Sequence, residues 1–226
     1  MELVRDEPPV WLLDRRPVFP DPLLAGYDDL VAVGGDFSPE RLIAAYRAGI
    51  FPWFMDQGLI YWFSPDPRMI IEPSKIKVSK SLSKTLKRNT FDIRYDTAFA
   101  RVMQSCATVR RKGEKEGSWI TPEFIAGYTK LHKMGVAHSV EAWQDGELVG
   151  GLYGLKMGKV FCGESMFAKV PDASKAALVT LARKLEEEGA HMIDCQVSSP
   201  HLERMGGVEI DRGEYLERLK KALLSV

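Results

Sequence analysis

The chain has 226 residues, 45% of them hydrophobic and 27% charged, enough to bury a sizeable core in one large domain or in a main domain with a small companion. Its 31 basic and 31 acidic side chains cancel, so no global field calls for a polyanionic partner, and no run of 18 apolar residues offers a membrane-spanning helix. Three cysteines without a C-x-x-C pair argue against a disulfide framework or a thiolate metal site; with acidic residues (Glu2, Asp6, Glu7) in place of an apolar leader, the expected location is the cytoplasm.

The first 70 residues are rich in proline and aromatics, with one clear helix over 38–49. Ser38 suits its N-cap, Pro39 its first position and Gly49 the position past its end, while Leu42, Ala45 and Tyr46 share a face. Two prolines in Ser64-Pro65-Asp66-Pro67-Arg68 exclude helix and central strand, so a boundary is expected near residue 70, with a small domain over 1–70 and a main domain over 71–226. A basic segment follows: between Lys75 and Arg94 there are seven bases against one acid, Asp92. Helices are predicted over 96–111 and from Thr121 (cap) and Pro122 to just before Gly135, the second with Phe124, Tyr128 and Leu131 on its apolar face. The period then changes, and 139–143, 148–155 and 159–167 read as strands, the first two joined by a turn at Asp145-Gly146. Residues 173–188 form a strong helix with Leu178, Leu181, Ala182 and Leu185 on one face, stopped by Gly189; a buried strand over 191–197 and a last helix follow. This order is α+β, with a helix crossing over between two strands, and is compatible with an N-acyltransferase core.

Familiar catalytic patterns fail. Gly163-Glu164-Ser165-Met166-Phe167 has phenylalanine where a nucleophile elbow needs its second glycine, and none of the four histidines forms an i, i+4 metal pair around a glutamate. Gly34-Gly35 and Gly150-Gly151 lack the spacing of a phosphate loop and read as a turn and a strand bulge. In Asp194-Cys195-Gln196, an acid and an amide two apart on an apolar strand point the same way and must be satisfied, either by a structural hydrogen-bond pair or by chemistry. Glu164 repeats the pattern, and if the strands are neighbours the three polar groups converge on one pocket. Cys195 then faces the other way, towards the core; a thiol nucleophile assisted by His201 is the alternative. The bases and hydroxyls after Lys75 suit phosphate oxygens or a solvated helix face, and Trp53, Trp62, Trp119 and Phe161 suit either core or base stacking.

Several blocks carry a family resemblance: Val33-Gly34-Gly35-Asp36-Phe37-Ser38-Pro39-Glu40, Gly49-Ile50-Phe51-Pro52-Trp53-Phe54, Trp62-Phe63-Ser64-Pro65-Asp66-Pro67-Arg68, His138-Ser139-Val140-Glu141, Val149-Gly150-Gly151-Leu152-Tyr153-Gly154, Cys162-Gly163-Glu164-Ser165-Met166-Phe167, Ala173-Ser174-Lys175 and Ile193-Asp194-Cys195-Gln196. In this order, over about residues 18 to 215, they resemble the leucyl/phenylalanyl-tRNA protein transferases. The resemblance implies a small N-terminal domain on a GNAT-like (acyl-CoA N-acyltransferase-like) mixed-sheet domain, and transfer of Leu, Phe or less readily Met from tRNA to proteins beginning with Arg or Lys, which marks them for N-degron degradation. Ester-to-amide transfer is downhill, so no cofactor or metal is expected, and a monomer is expected. It implies Asp194, Gln196 and Glu164 as catalytic residues and Trp53, Trp119 and Phe161 as aromatics for the terminal adenosine. Leu152, Met166 and Gly163 are implied for the aminoacyl pocket, and Lys77, Lys80, Lys84, Lys87 and Arg88 for tRNA. Phe63, Asp172, Lys77 and Lys80 depart from the family's usual residues, and the two lysines lose the guanidinium fork.

Overall fold

The proline-rich amino-terminal sequence folds as a four-stranded sheet carrying one helix, and the rest as a seven-stranded sheet covered on both faces. The computed structural model describes residues 10–26, 28–108 and 119–224. The first unit contains β1 (Trp11–Leu13), β2 (Leu30–Gly34), α1 (Pro39–Arg47), β3 (Phe51–Asp56) and β4 (Leu59–Phe63), in the sheet order β1-β2-β4-β3. α1 forms as its periodicity predicts, burying Leu42, Ala45 and Tyr46, together with Arg41. Ser38 sits in extended backbone at its start, but its side chain makes no cap bond; its amide instead donates to the Asp36 carboxylate at 2.8 Å. Gly49, at φ 75, ends the helix as expected.

The second unit runs β5 (Arg68–Ile71), α2 (Lys80–Lys87), β6 (Asp92–Tyr95), α3 (Phe99–Thr108), α4 (Pro122–Lys133), β7 (Ala137–Gln144), β8 (Glu147–Met157), β9 (Val160–Ala168), α5 (Ala173–Glu187), β10 (Met192–Gln196), α6 (Pro200–Arg204), β11 (Val208–Ile210) and α7 (Arg212–Leu224). The sheet order is β11-β5-β10-β9-β8-β7-β6. Every neighbouring pair is antiparallel except β9 and β10, which run parallel and are joined over the sheet by α5, giving the mixed sheet and crossover helix that the sequence order predicts. Strands β7 to β10 and helices α4 and α5 fall where they are expected. The two prolines do end β4, and β5 starts directly behind them as an inner strand. The predicted helix over 96–111 begins only at Phe99, because Asp96 is left-handed (φ 58) and the buried Glu141 carboxylate accepts the amides of Thr97 and Ala98. Residues 109–111 of that prediction lie outside the described residues.

Helices α3, α4 and α7 pack on one face of the large sheet and α5 and α2 on the other. The first face shares its core with the amino-terminal unit, joining Tyr46 and Trp62 to Phe99, Phe124, Tyr128, Cys162 and Tyr215. On the second face Phe161, Ile193 and Leu152 meet Leu178, Leu181, Ala182 and Leu185, the predicted stripe of α5. The expected bulge at Gly150-Gly151 falls one residue earlier, at Val149, where Ala142 pairs with Gly150 but Trp143 with Leu148. Gly150 serves close approach instead: a Cβ there would lie 2.5 Å from that of Ala173 at the start of α5. No helix among the described residues is long and apolar enough to cross a membrane.

Candidate functional site

The site is built where the parallel strands β9 and β10 part. They pair from Val160/Met192 through Phe161/Ile193 to Cys162/Asp194, and there each strand is interrupted by a bulge. In β9, Ser165 faces Tyr153 while Gly163 faces Gly154, which leaves Glu164 as the extra residue. In β10, Asp194 faces Ile70 and Gln196 faces Met69, leaving Cys195 unmatched and Gln196 left-handed at φ 64. Bulges redirect side chains, and a non-glycine residue at positive φ is held there only by its surroundings. The expectation that Asp194 and Gln196 point the same way rests on strict alternation, and the bulge at Cys195 breaks it.

Gln196 turns towards Glu164, its Nε2 donating to Oε1 at 2.7 Å. The other carboxylate oxygen accepts from the Tyr128 hydroxyl at 3.0 Å, and Tyr128 in turn meets the Tyr46 hydroxyl at 2.5 Å. Burial pushes the Glu164 carboxyl up, and the neighbouring Asp194 charge adds to this; the hydrogen bonds from Tyr46, Tyr128 and Gln196 oppose it, and the result is about 7. The same burial, reinforced by Glu164, holds both tyrosine hydroxyls well above their ordinary value, so they remain donors at neutral pH.

Asp194 does not line the cavity beside this pair and is fully buried with the equally buried Arg68. Nε and Nη2 of Arg68 donate to its two oxygens at 2.8 and 2.7 Å, and the Tyr215 hydroxyl donates to it at 2.9 Å. Burial works against the charge of Arg68, but Asp194 outweighs it and leaves the guanidinium above its ordinary range. Besides its charge, Asp194 reaches the site through the Gln196 backbone amide, which its carboxylate accepts at 3.0 Å. Of the three polar groups expected in one pocket, Glu164 and Gln196 meet there and Asp194 stands behind them.

A cavity of about 330 Å³ opens beside this pair, walled by Leu152, Phe161, Met166, Leu178, Leu181 and Ile193, with Ser199 and His201 adding polar groups. Of the residues implied for the aminoacyl and adenosine sites, Leu152, Phe161, Gly163 and Met166 line it. Phe161 is 2% exposed, a wall and not an open stacking platform. Trp53 and Trp119 stand outside. Trp53 is 37% exposed on β3 and packs edge-on against Phe63, while Trp119 packs on Phe124, which stacks on Tyr128. Cys195 packs against the core of the second face, as expected, and also lines the cavity wall. Its thiol is pushed far up, first by burial and then by the Asp194 charge, and it bonds the Ile193 carbonyl at 3.8 Å. Burial, with Lys175 and Arg204, lowers His201, which lines the same cavity. A protonated thiol of this kind is a poor nucleophile.

The basic segment forms α2, anchored by Leu82 and Leu86 on the α5 face, the same side of the sheet as the cavity. Lys77, Lys80, Lys84, Lys87 and Arg88 are all exposed. The Lys77 amide donates to the Met205 carbonyl at 2.9 Å, tying the segment to the end of α6, whose His201 and Leu202 line the cavity. Residues that sequence reasoning did not assign to the site are Arg68, Tyr46, Tyr128 and Tyr215. Each sits inside an ordinary apolar pattern or a turn, and only the buried arginine after two prolines offered a cue.

A mixed sheet parting around an apolar cavity, with a near-neutral carboxyl hydrogen-bonded to an amide at its wall, defines an α+β enzyme of the acyltransferase class. The profile "Leucyl/phenylalanyl-tRNA protein transferase" matches residues 70–220 and that of the N-terminal domain of the same transferase matches residues 35–66. The chain belongs to the leucyl/phenylalanyl-tRNA protein transferase family. It is similar to proteins of that name from Nitrosomonas eutropha (58% identity over 85% of this chain and 81% of that one) and Anaeromyxobacter sp. strain K (50% over 95% and 92%). Among solved structures, a ribosomal-protein-alanine N-acetyltransferase from Brucella melitensis biovar Abortus 2308 aligns at 21% identity over 44% of this chain and 74% of that one, with a TM-score of 0.32.

Proposed function

We propose that the enzyme transfers leucine or phenylalanine, and less readily methionine, from tRNA to the α-amine of proteins beginning with Arg or Lys, acting in the cytoplasm and feeding N-degron proteolysis. Family membership supports the reaction, and the observation that carries the mechanism is the Glu164–Gln196 pair on the wall of an apolar cavity. The cavity suits an uncharged donor side chain, with Leu152, Phe161 and Met166 against it. Replacing an aminoacyl ester by an amide is downhill, so position, deprotonation and charge stabilisation suffice. The amine nitrogen bonds to the ester carbonyl carbon, the bond from that carbon to the terminal ribose oxygen breaks, the amine loses a proton and the ribose oxygen gains one. An amide has no useful basicity near neutral pH, whereas a carboxyl at about 7 exchanges protons readily. Glu164 therefore takes the role of base. Gln196, whose NH2 already donates to Glu164, offers its carbonyl oxygen to the incoming amine. Asp194 acts from behind by fixing Gln196. The exposed bases of α2 attract the tRNA backbone.

An acetyl-CoA reading is disfavoured at the start of α5. No glycine-rich loop cradles a pyrophosphate there; the Asp172 carboxylate occupies the entry, held by Lys175 at 2.8 Å. Labelled leucine on tRNA, mixed with the protein and a peptide beginning with Arg, should yield acid-stable label on the peptide, abolished by ribonuclease pretreatment. Label incorporated from acetyl-CoA, and none from the tRNA, would overturn the proposal.

A further inference from the structure

We infer that Arg68 is a positioning residue, a buried brace that sets the acceptor side of the site against the segment leading to Trp53. The inference rests on the transfer reaction proposed above. Arg68 is the first residue of β5, immediately after the turn that leaves the amino-terminal sheet, and it has no exposure to solvent. Its guanidinium makes contacts in two directions. Towards the large sheet, Nε and Nη2 hold both oxygens of Asp194, and Nη2 also reaches the Tyr215 hydroxyl at 3.2 Å. Towards the amino-terminal unit, Nη1 donates to the Gly49 carbonyl at 3.1 Å and the guanidinium lies 5.1 Å from the centre of the Phe51 ring. That carbonyl is also bonded by the Ser64 hydroxyl at 3.1 Å, so the backbone entering β3 is fixed from two sides.

The brace ends at Gln196. Asp194 Oδ1 receives both Arg68 Nε and the Gln196 amide, and this amide belongs to a residue held left-handed against its preference. Releasing Asp194 to rotate would release a side-chain bond that stabilises that turn, and with it the direction of the Gln196 side chain towards Glu164. A planar fork is required, because one group must bond two carboxylate oxygens and a carbonyl at fixed angles. A lysine keeps the charge but cannot span the three. The arrangement gives Arg68 a role in turnover without contact to substrate, and it ties acceptor-side geometry to the stretch Gly49 to Trp53 of the other unit.

The test uses the full chain and the variants Arg68→Lys and Arg68→Met/Asp194→Asn, the second removing both buried charges so that neither is left unpaired. Leucine transfer from tRNA to an Arg-initial peptide is followed with each substrate varied, beside hydrogen exchange at the Gln196 amide and thermal melting. Arg68→Lys should lose at least about 30-fold in kcat, with the KM of either substrate moving less than about threefold, and protection of the Gln196 amide should fall about tenfold or more in a protein that still melts cooperatively. The double variant should fold and stay slow. Unchanged kcat per folded molecule in either variant, or unchanged Gln196 protection in Arg68→Lys, would overturn the inference. A wild-type protein that transfers no leucine would instead sink the proposed reaction, and the exchange measurement would still decide whether Arg68 braces Gln196.

Discussion

Replacing Glu164 by Gln keeps the shape of the side chain and one acceptor oxygen for Gln196, puts an NH2 where Tyr128 now donates, and removes the titration. The carboxyl is raised from the model-compound value of 4.5 to about 7, chiefly by burial. The folded protein thus binds a proton at Glu164 more tightly than the unfolded chain does, so stability is full below about pH 4.5 and declines as pH rises through 7. The shift corresponds to about 3 kcal/mol, an upper bound because the group is partly open to solvent. For a chain of this size, that is at most roughly 6–12 °C in Tm. Melting wild type and Glu164→Gln at pH 5 and pH 8 should show the variant gaining several degrees relative to wild type between the two, since titrations elsewhere cancel in the difference. In the transfer assay, wild-type kcat should fall on the acid side of about pH 7 as the base is protonated, and the variant should be slow and lose that limb. An equal Tm difference at both pH values, together with an unchanged pH profile, would refute both the perturbed carboxyl and its role as base.

Asp194→Asn leaves Arg68 buried with half its partner; stability should drop by roughly 3–5 kcal/mol in denaturant titrations and kcat with it, while charged-tRNA binding in a filter assay holds. Wild-type turnover in this variant would remove Asp194 from the mechanism. Cys195→Ala removes a protonated thiol from the cavity wall, and kcat within about threefold of wild type is expected; a loss of 100-fold or more would revive a thioester route. Changing Lys80, Lys84 and Lys87 together to Ala should weaken tRNA binding and flatten the slope of log K against log salt by roughly 2–3, and an unchanged slope would place the RNA elsewhere.

Much of this protein is written locally. Helices α1, α4 and α5 follow from apolar spacing, a proline in the first turn of α1 and α4, and a glycine beyond α1 and α5, because a helix is stabilised by contacts three and four residues apart. Strands β7 to β10 are apolar enough to declare themselves, and the order of motif blocks is enough to identify the family. The amino-terminal sheet, β5, β6 and β11 escape notice: they lack clean alternation or lie among prolines, so their pairing depends on partners elsewhere. Glu164, Asp194 and Gln196 are legible as polar residues on apolar strands, but which way each faces is not. Two bulges decide it, and a bulge reflects how a strand fits its neighbours. Arg68 finds Asp194 across 126 residues, and Tyr46 finds Tyr128 across 82. The sequence by itself determined which residues would need partners; only the packing of two units on one core decided who those partners are, because burial makes an unpaired charge costly without naming what satisfies it.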